Sequence, residues 1–160
     1  MDQDLNGGCG CGAVRYRLKR PPMFTNCCHC RDCQRQTGSA FVINALIETA
    51  EIAVSGDLDV VAMPSPSGRG HDIHRCPACQ VAVWSDYGRR PYLRFVRVAT
   101  LDDPEQIAPD AHIFVRSKLS WVVLPDGAPA FDIFYDPATF WSAEVHERRR
   151  VMLERYQASV

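Results

Sequence analysis

The sequence has no long apolar run. FVINALI (41–47) is among the longest, at seven residues, where a bilayer-spanning helix needs about 20. It has no charge excess of either sign: 18 Lys and Arg against 19 Asp and Glu give a net charge of −1. Bulk electrostatics therefore points to neither nucleic acid nor an acidic membrane as a partner. MDQDLNGG at the start lacks the basic and apolar regions of a signal peptide, so a cytoplasmic protein is expected. There is no low-complexity linker and no internal repeat beyond pairs of cysteines. With 160 residues and 46% hydrophobic composition, the chain can build a real core.

What it does have is eight cysteines. They fall in three groups: Cys9 and Cys11 in GGCGCGA, four in CCHCRDC (27–33), and Cys76 with Cys79 in RCPACQ. A reducing compartment disfavours disulfides and a chain of this length does not need staples, so metal binding is the stronger expectation. A CxxC turn brings two sulfurs to one ion. A CxC on an extended segment does the same, because strand side chains alternate in direction. Seven cysteines are accounted for if Cys9, Cys11, Cys76 and Cys79 form a four-sulfur site and Cys28, Cys30 and Cys33 a three-sulfur one. The first would be closed and structural. The second would keep one position open, as catalytic zinc does. Spacing alone leaves alternatives. His29 or Cys27 would close the second site as a fourth ligand, and Cys30, Cys33, Cys76 and Cys79 would make a widely spaced zinc ribbon. A thioredoxin-like role for either CxxC lacks its βαβ surroundings.

The rest of the chain reads as mainly β. AVRYRLK (13–19) alternates with Val14, Tyr16 and Leu18 on one face. FVINALI, EIAVSG and DVVAMP read as short strands, and IHRCPACQVAVW as a hairpin tipped by a zinc knuckle. LRFVRVATL (93–101) alternates with a slip, which predicts either burial on both faces or a bulge near Phe95. HIFVRS (112–117) is a predicted strand and RDCQRQTG (31–38) a turn or two of helix. Residues 64–70, 102–111 and 124–129 read as loops. Residues 136–160 read as one helix with Asp136 as cap and Pro137 at its first position. Trp141, Val145, Met152 and Tyr156 form its stripe, interrupted by Arg148 and Arg149, and the arginine run reads as a solvated face. This predicts a zinc domain over 1–135 and a helical extension over 136–160, packed on the domain or forming a homodimer.

GGCGCGAVRYRL, CHCRDCQRQTGSAF, CPACQVAVW and HIFVRSKLSW, in that order, resemble the glutathione-dependent formaldehyde-activating enzyme family, which includes centromere protein V relatives. The resemblance runs from about Gly7 to about Phe131. It implies an Mss4-like fold stapled by zinc, with short helices and two Zn²⁺ per chain. Cys9, Cys11, Cys76 and Cys79 would hold the structural ion, and Cys28, Cys30 and Cys33 an active-site ion that is not always fully occupied. It implies a carbon–sulfur lyase resembling S-(hydroxymethyl)glutathione synthase, joining a thiol such as glutathione to a small aldehyde. The alternative is a non-catalytic protein-binding module of the Mss4-like type.

Ser39, Arg116 and Lys118 are candidate ligand contacts, since Arg meets carboxylates well. Each has a plain alternative as a turn hydroxyl or a surface cation. Trp121 is expected in the core. His29, between two candidate ligands, is expected to point away from the metal. His71, His74, His112 and His146 read as packing or surface residues. The chain departs from the family pattern at Gln80, where a glycine is usual after the CxxC, and at Leu119 and Ser120 in SKLSW. These departures bear on the substrate more than on the metal.

Overall fold

The computed structural model describes residues 5–160. The strands are β1 (Leu5–Gly8), β2 (Arg15–Leu18), β3 (Phe24–Cys28), β4 (Val42–Glu48), β5 (Ile52–Ser55), β6 (Asp59–Met63), β7 (His71–Arg75), β8 (Ala82–Tyr87), β9 (Leu93–Arg97), β10 (Ala111–Ile113) and β11 (Ala130–Phe131). The α-helices are α1 (Arg31–Thr37), α2 (Pro137–Phe140) and α3 (Ala143–Ala158). The chain is mainly β. A three-stranded antiparallel sheet runs β1-β2-β5, and an eight-stranded sheet runs β11-β10-β3-β4-β9-β8-β7-β6. In the larger sheet β10 pairs in parallel with both β3 and β11, while the other pairings are antiparallel.

Alternation decides what lies between the sheets. Tyr16 and Leu18 point inward from β2 while Arg15 and Arg17 point out. They meet Ala45 and Ile47 of β4, Val96 of β9 and Trp84 of β8 in the main core. Tyr16 and Trp84 touch edge to face with centroids 5.8 Å apart. The close packing requires Gly7: a Cβ there would lie 2.5 Å from the Tyr16 ring and 2.6 Å from the Thr100 carbonyl. The opposite face of the large sheet carries two smaller cores. One gathers Phe24, Val42, Ile113 and Tyr135. The other gathers Met23, Leu46 and Leu93 around Met152 of α3.

Several elements differ from expectation. β9 has no bulge at Phe95, because its pairing with β4 is continuous. Leu93 and Phe95 pack into the core around Met152 while Val96 and Val98 belong to the main core on the other side, so both faces of this segment are covered, and that explains the slipped alternation. The strand stops at Arg97 and Val98–Thr100 is a 3₁₀ turn. The irregularity in register sits instead in β7, between His74 and Arg75. The strand expected over 112–117 ends at Ile113: Phe114 is left-handed, with φ 56°, and Val115–Ser117 form a 3₁₀ turn.

The single helix expected over 136–160 is two. Asp136 caps α2, Trp141 turns extended, and Ser142 caps α3 by accepting from the Val145 N–H. Arg148 is not on a solvated face. It grips Glu48 with two nitrogens, at 3.2 and 2.7 Å, and donates to the Pro21 carbonyl. Trp121, expected in the core, is 71% exposed. No helix of the described residues is long and apolar enough to cross a membrane.

Candidate metal centres and active site

The structure brings Cys9, Cys11, Cys76 and Cys79 together, with all four sulfurs within 4.8 Å of one another. Cys9 and Cys11 sulfurs are 3.5 Å apart, and Cys11 and Cys76 sulfurs 3.7 Å. Four sulfurs at about 2.3 Å from a tetrahedral ion would stand roughly 3.8 Å apart. Two tight turns build this arrangement. The Cys9 N–H donates to the Val14 carbonyl and the Cys76 N–H to the Val81 carbonyl, so each pair is folded back at a strand end. Gln80 takes the left-handed conformation, φ 62°, that glycine supplies more readily. Its side-chain amide donates to the Pro77 carbonyl, holding the knuckle closed. Desolvation opposes ionisation of Cys9, but the Val14 N–H and the neighbouring thiols outweigh it and bring Cys9 down to about 6.

The second group, Cys28, Cys30 and Cys33, also has its sulfurs within 4.8 Å. Cys28 ends β3 and Cys33 lies on the inner side of α1. Cys30 is the helix cap, its sulfur accepting from the Cys33 N–H at 3.4 Å. Gly38, left-handed at φ 64°, ends that helix. The three thiols cannot all ionise side by side. Hydrogen bonds with Cys28 and Cys33 bring Cys30 down to about 2, and those with Cys30 and Cys33 push Cys28 up out of the ordinary thiol range. A soft divalent cation among the sulfurs would remove that conflict, so the donor set fits zinc at both cysteine groups.

Cys27 and His29 do not complete the cup. Successive strand residues face opposite ways, so Cys27 is on the far side of β3 from Cys28. His29 is fully buried there, 3.6 Å from the Cys27 sulfur and 3.1 Å from His112. The ribbon alternative also fails, because Cys76 and Cys79 group with Cys9 and Cys11 rather than with Cys30 and Cys33.

The cup opens on a cavity of about 370 Å³. Its lining includes Asn44, His71, Tyr87, Arg90, Phe95 and Phe134. Tyr87 is central. Its hydroxyl is 3.5 Å from the Cys33 sulfur. Its ring stacks on His71 at 3.9 Å and meets Phe95 edge-on at 4.9 Å. Burial pushes the Tyr87 hydroxyl far up, so it stays protonated. Arg90 lies over the Phe95 ring at 5.4 Å. Behind the lining, buried Arg97 donates to Asn44 Oδ1 at 2.6 Å and to Ser85 Oγ at 2.8 Å, with no carboxylate pairing among the described residues.

Ser39 and Arg116 are exposed, and the Lys118 ammonium donates to the Leu119 and Val122 carbonyls. None of the three lines the cavity. Tyr87, His71, Arg90 and Arg97 were not singled out as site residues from the sequence. They sit 38 or more positions after Cys33, and only the strand order brings β7, β8 and β9 over the cup.

A family model for the glutathione-dependent formaldehyde-activating enzyme matches residues 4–117, which include every cysteine of both groups. The chain belongs to the glutathione-dependent formaldehyde-activating enzyme family. A Halomonas elongata protein, named provisionally as a glutathione-dependent formaldehyde-activating enzyme, is 29% identical over 128 residues, 74% of this chain and 79% of that one. A crystal structure of a Rhodobacter sphaeroides protein is similar over 64% of this chain and 94% of its own, with 21% identity and a TM-score of 0.48. The region matched by the family model ends before α2 and α3, so the C-terminal helices are an addition to the matched part of this family member.

Proposed function

We propose that the protein is a zinc-dependent carbon–sulfur lyase or synthase that interconverts a thiol plus a small aldehyde with their adduct, glutathione and formaldehyde being the leading pair. The observation that carries this reading is the three-cysteine cup at the floor of a cavity of about 370 Å³. Cys28, Cys30 and Cys33 would hold the active-site ion, and Cys9, Cys11, Cys76 and Cys79 a structural one. Zinc in the cup would supply the Lewis acidity that keeps an incoming thiol as thiolate.

The chain's own residues would do the rest. In the forward direction the thiol S–H proton leaves to solvent, a carbon–sulfur bond forms and the carbonyl π pair moves to oxygen. That oxygen takes a proton from a donor that solvent reprotonates, so the addition leaves no other product. Tyr87, protonated and 3.5 Å from Cys33, is placed to donate to the developing alkoxide. It cannot serve as a base in that state. Arg97 puts a buried positive charge behind a thiolate-rich site. Phe95 and Phe134 keep water away from the cavity wall, and Arg90 offers a guanidinium to a carboxylate of the thiol. Ser39, Arg116 and Lys118 would act, if at all, beyond the cavity lining.

A protein-binding module is the second reading, favoured by Trp121 and Val123, which are 71% and 89% exposed. Zinc content and glutathione binding, compared between wild type and Cys30→Ser, separate the two. Serine can still cap α1, so the fold should survive the change. The enzyme reading expects two zincs at the cysteine groups, with one lost in the variant together with thiol binding. Retained zinc with no thiol affinity in either protein sinks it in favour of the module.

A further inference from the structure

We infer that Cys27, His29 and His112 form a third metal site, on the face of β3 opposite the cup, taking Zn²⁺ or a similar borderline-soft divalent ion. The inference does not depend on the enzyme reading, because none of these residues contributes to the cup or its cavity.

The geometry is that of a coordination sphere. Cys27 Sγ and His29 Nε2 are 3.6 Å apart, and His29 Nε2 and His112 Nδ1 are 3.1 Å apart. All three donor atoms lie within 4.8 Å of one another. Bonds of about 2.3 Å to sulfur and 2.0–2.1 Å to nitrogen, at tetrahedral angles, place S and N roughly 3.6 Å apart and two nitrogens roughly 3.3 Å apart. The observed separations fall close to both.

Backbone pairing fixes these residues before any ion arrives. β10 runs parallel to β3 with His112 level with Cys27. The His29 N–H donates to the Ile113 carbonyl at 3.0 Å, locking the residue after β3 against β10. The Phe41 ring packs on His29 with centroids 5.5 Å apart. The side chains are buried, at 2%, 0% and 9% exposure.

Hydrogen bonding alone accounts for the cluster poorly. His29 Nδ1 is buried without a partner, so the ring's polar contacts rest on Nε2, which faces both Cys27 and His112. A ring nitrogen carries one proton or one lone pair, and so serves one of two such neighbours well. An ion among the three would occupy all of them. One thiolate and two neutral imidazoles around a divalent ion carry a net +1. Three thiolates around zinc in the cup carry −1. The two centres, on adjacent residues of one strand, would offset each other's charge.

The test is zinc K-edge X-ray absorption on the tag-free, zinc-loaded chain, with elemental zinc content alongside. Neither cysteine group contains a histidine, so outer-shell imidazole scattering would come from the third site. The wild type is expected to show it, with a third zinc per chain. Cys27→Ala and His112→Ala should each lose the imidazole signal and one zinc while keeping the sulfur shell. A sulfur shell without imidazole in the wild type overturns the proposal. So does an imidazole signal that persists in both variants. If one variant does not fold, the other and the wild-type spectrum still decide. Loss of zinc in Cys30→Ser with the imidazole signal retained would concern the cup alone.

Discussion

Gln80 stands where the knuckle turns left-handed, a conformation that costs an L-residue roughly 1–2 kcal/mol. Its amide recovers part of this through the Pro77 carbonyl. Gln80→Gly should therefore raise stability by about 0.5–1 kcal/mol, read as a higher Tm in the zinc-loaded protein. A lower Tm would mean that the Pro77 contact outweighs the strain. Tyr87→Phe isolates the hydroxyl that faces Cys33, because the ring can keep its stacks on His71 and Phe95. Under the proposed function, kcat should fall about 100-fold, as for removal of one oxyanion donor, with thiol affinity unchanged. Equal loss in binding and turnover would assign Tyr87 to ligand binding instead. At this scale the sulfurs were legible in the sequence, because CxC, CxxC and CHCxxC constrain their own geometry. Tyr87 and Arg97 were not. Nothing local to VWSDYG or LRFVR says which face of those strands looks at the cup.

Among the elements, α3 shows most plainly how tertiary contacts override pattern. A run of charged residues, HERRR, reads as a solvated face. Yet Arg148 turns inward to Glu48, each side chain only 11% exposed, while Arg150 pairs along the helix with Glu147 and Glu154. Glu48 ends β4, a hundred residues earlier, so no window of sequence contains both partners. Glu48→Gln should cost about 3 kcal/mol, at the low end for removing one partner of a buried pair, and Glu154→Gln within about 0.5 kcal/mol. Urea unfolding of both variants checks the contrast, and equal losses would refute the docking role of Arg148. The break at Trp141 is equally hard to read from the sequence. Asp136-Pro137 is so strong a start signal that Ser142, a second cap six residues after the first, reads as part of the same helix. Strand positions fared better, because β2 alternates over a core on one side and β4 is an almost continuous apolar run buried on both faces. The short β10 did not, since Phe114 leaves the strand where its sequence still reads as apolar and extended.

For the molecule as a whole, acid stability tests how the cavity wall is held. Burial, with Arg97 adding to it, lowers His71 from 6.5 to about 4, while Asp72 and Cys30 act in the opposite sense. The unfolded chain therefore binds this proton at higher pH than the folded one. The contribution is intact above pH 6.5 and is lost progressively as the pH falls toward 4. The drop in unfolding free energy between pH 7 and pH 5 should be smaller in His71→Gln than in the wild type. An identical drop in both would show that His71 is not held neutral in the native state. The mainly β architecture was readable from short alternating segments punctuated by glycine and proline. The sheet order was not, because the parallel β3–β10 pairing joins residues some 85 positions apart. That same separation of partners sets a timetable for synthesis. The three cup sulfurs leave the ribosome within six residues of one another. Cys11 must wait 65 residues for Cys76, and Cys27 waits longer still for His112. A growing chain can thus bring its three-cysteine cup together while the two clusters that tie distant segments together are still incomplete. During that interval a set of exposed thiols would depend on the surrounding cell, rather than on the finished fold, for protection from oxidation.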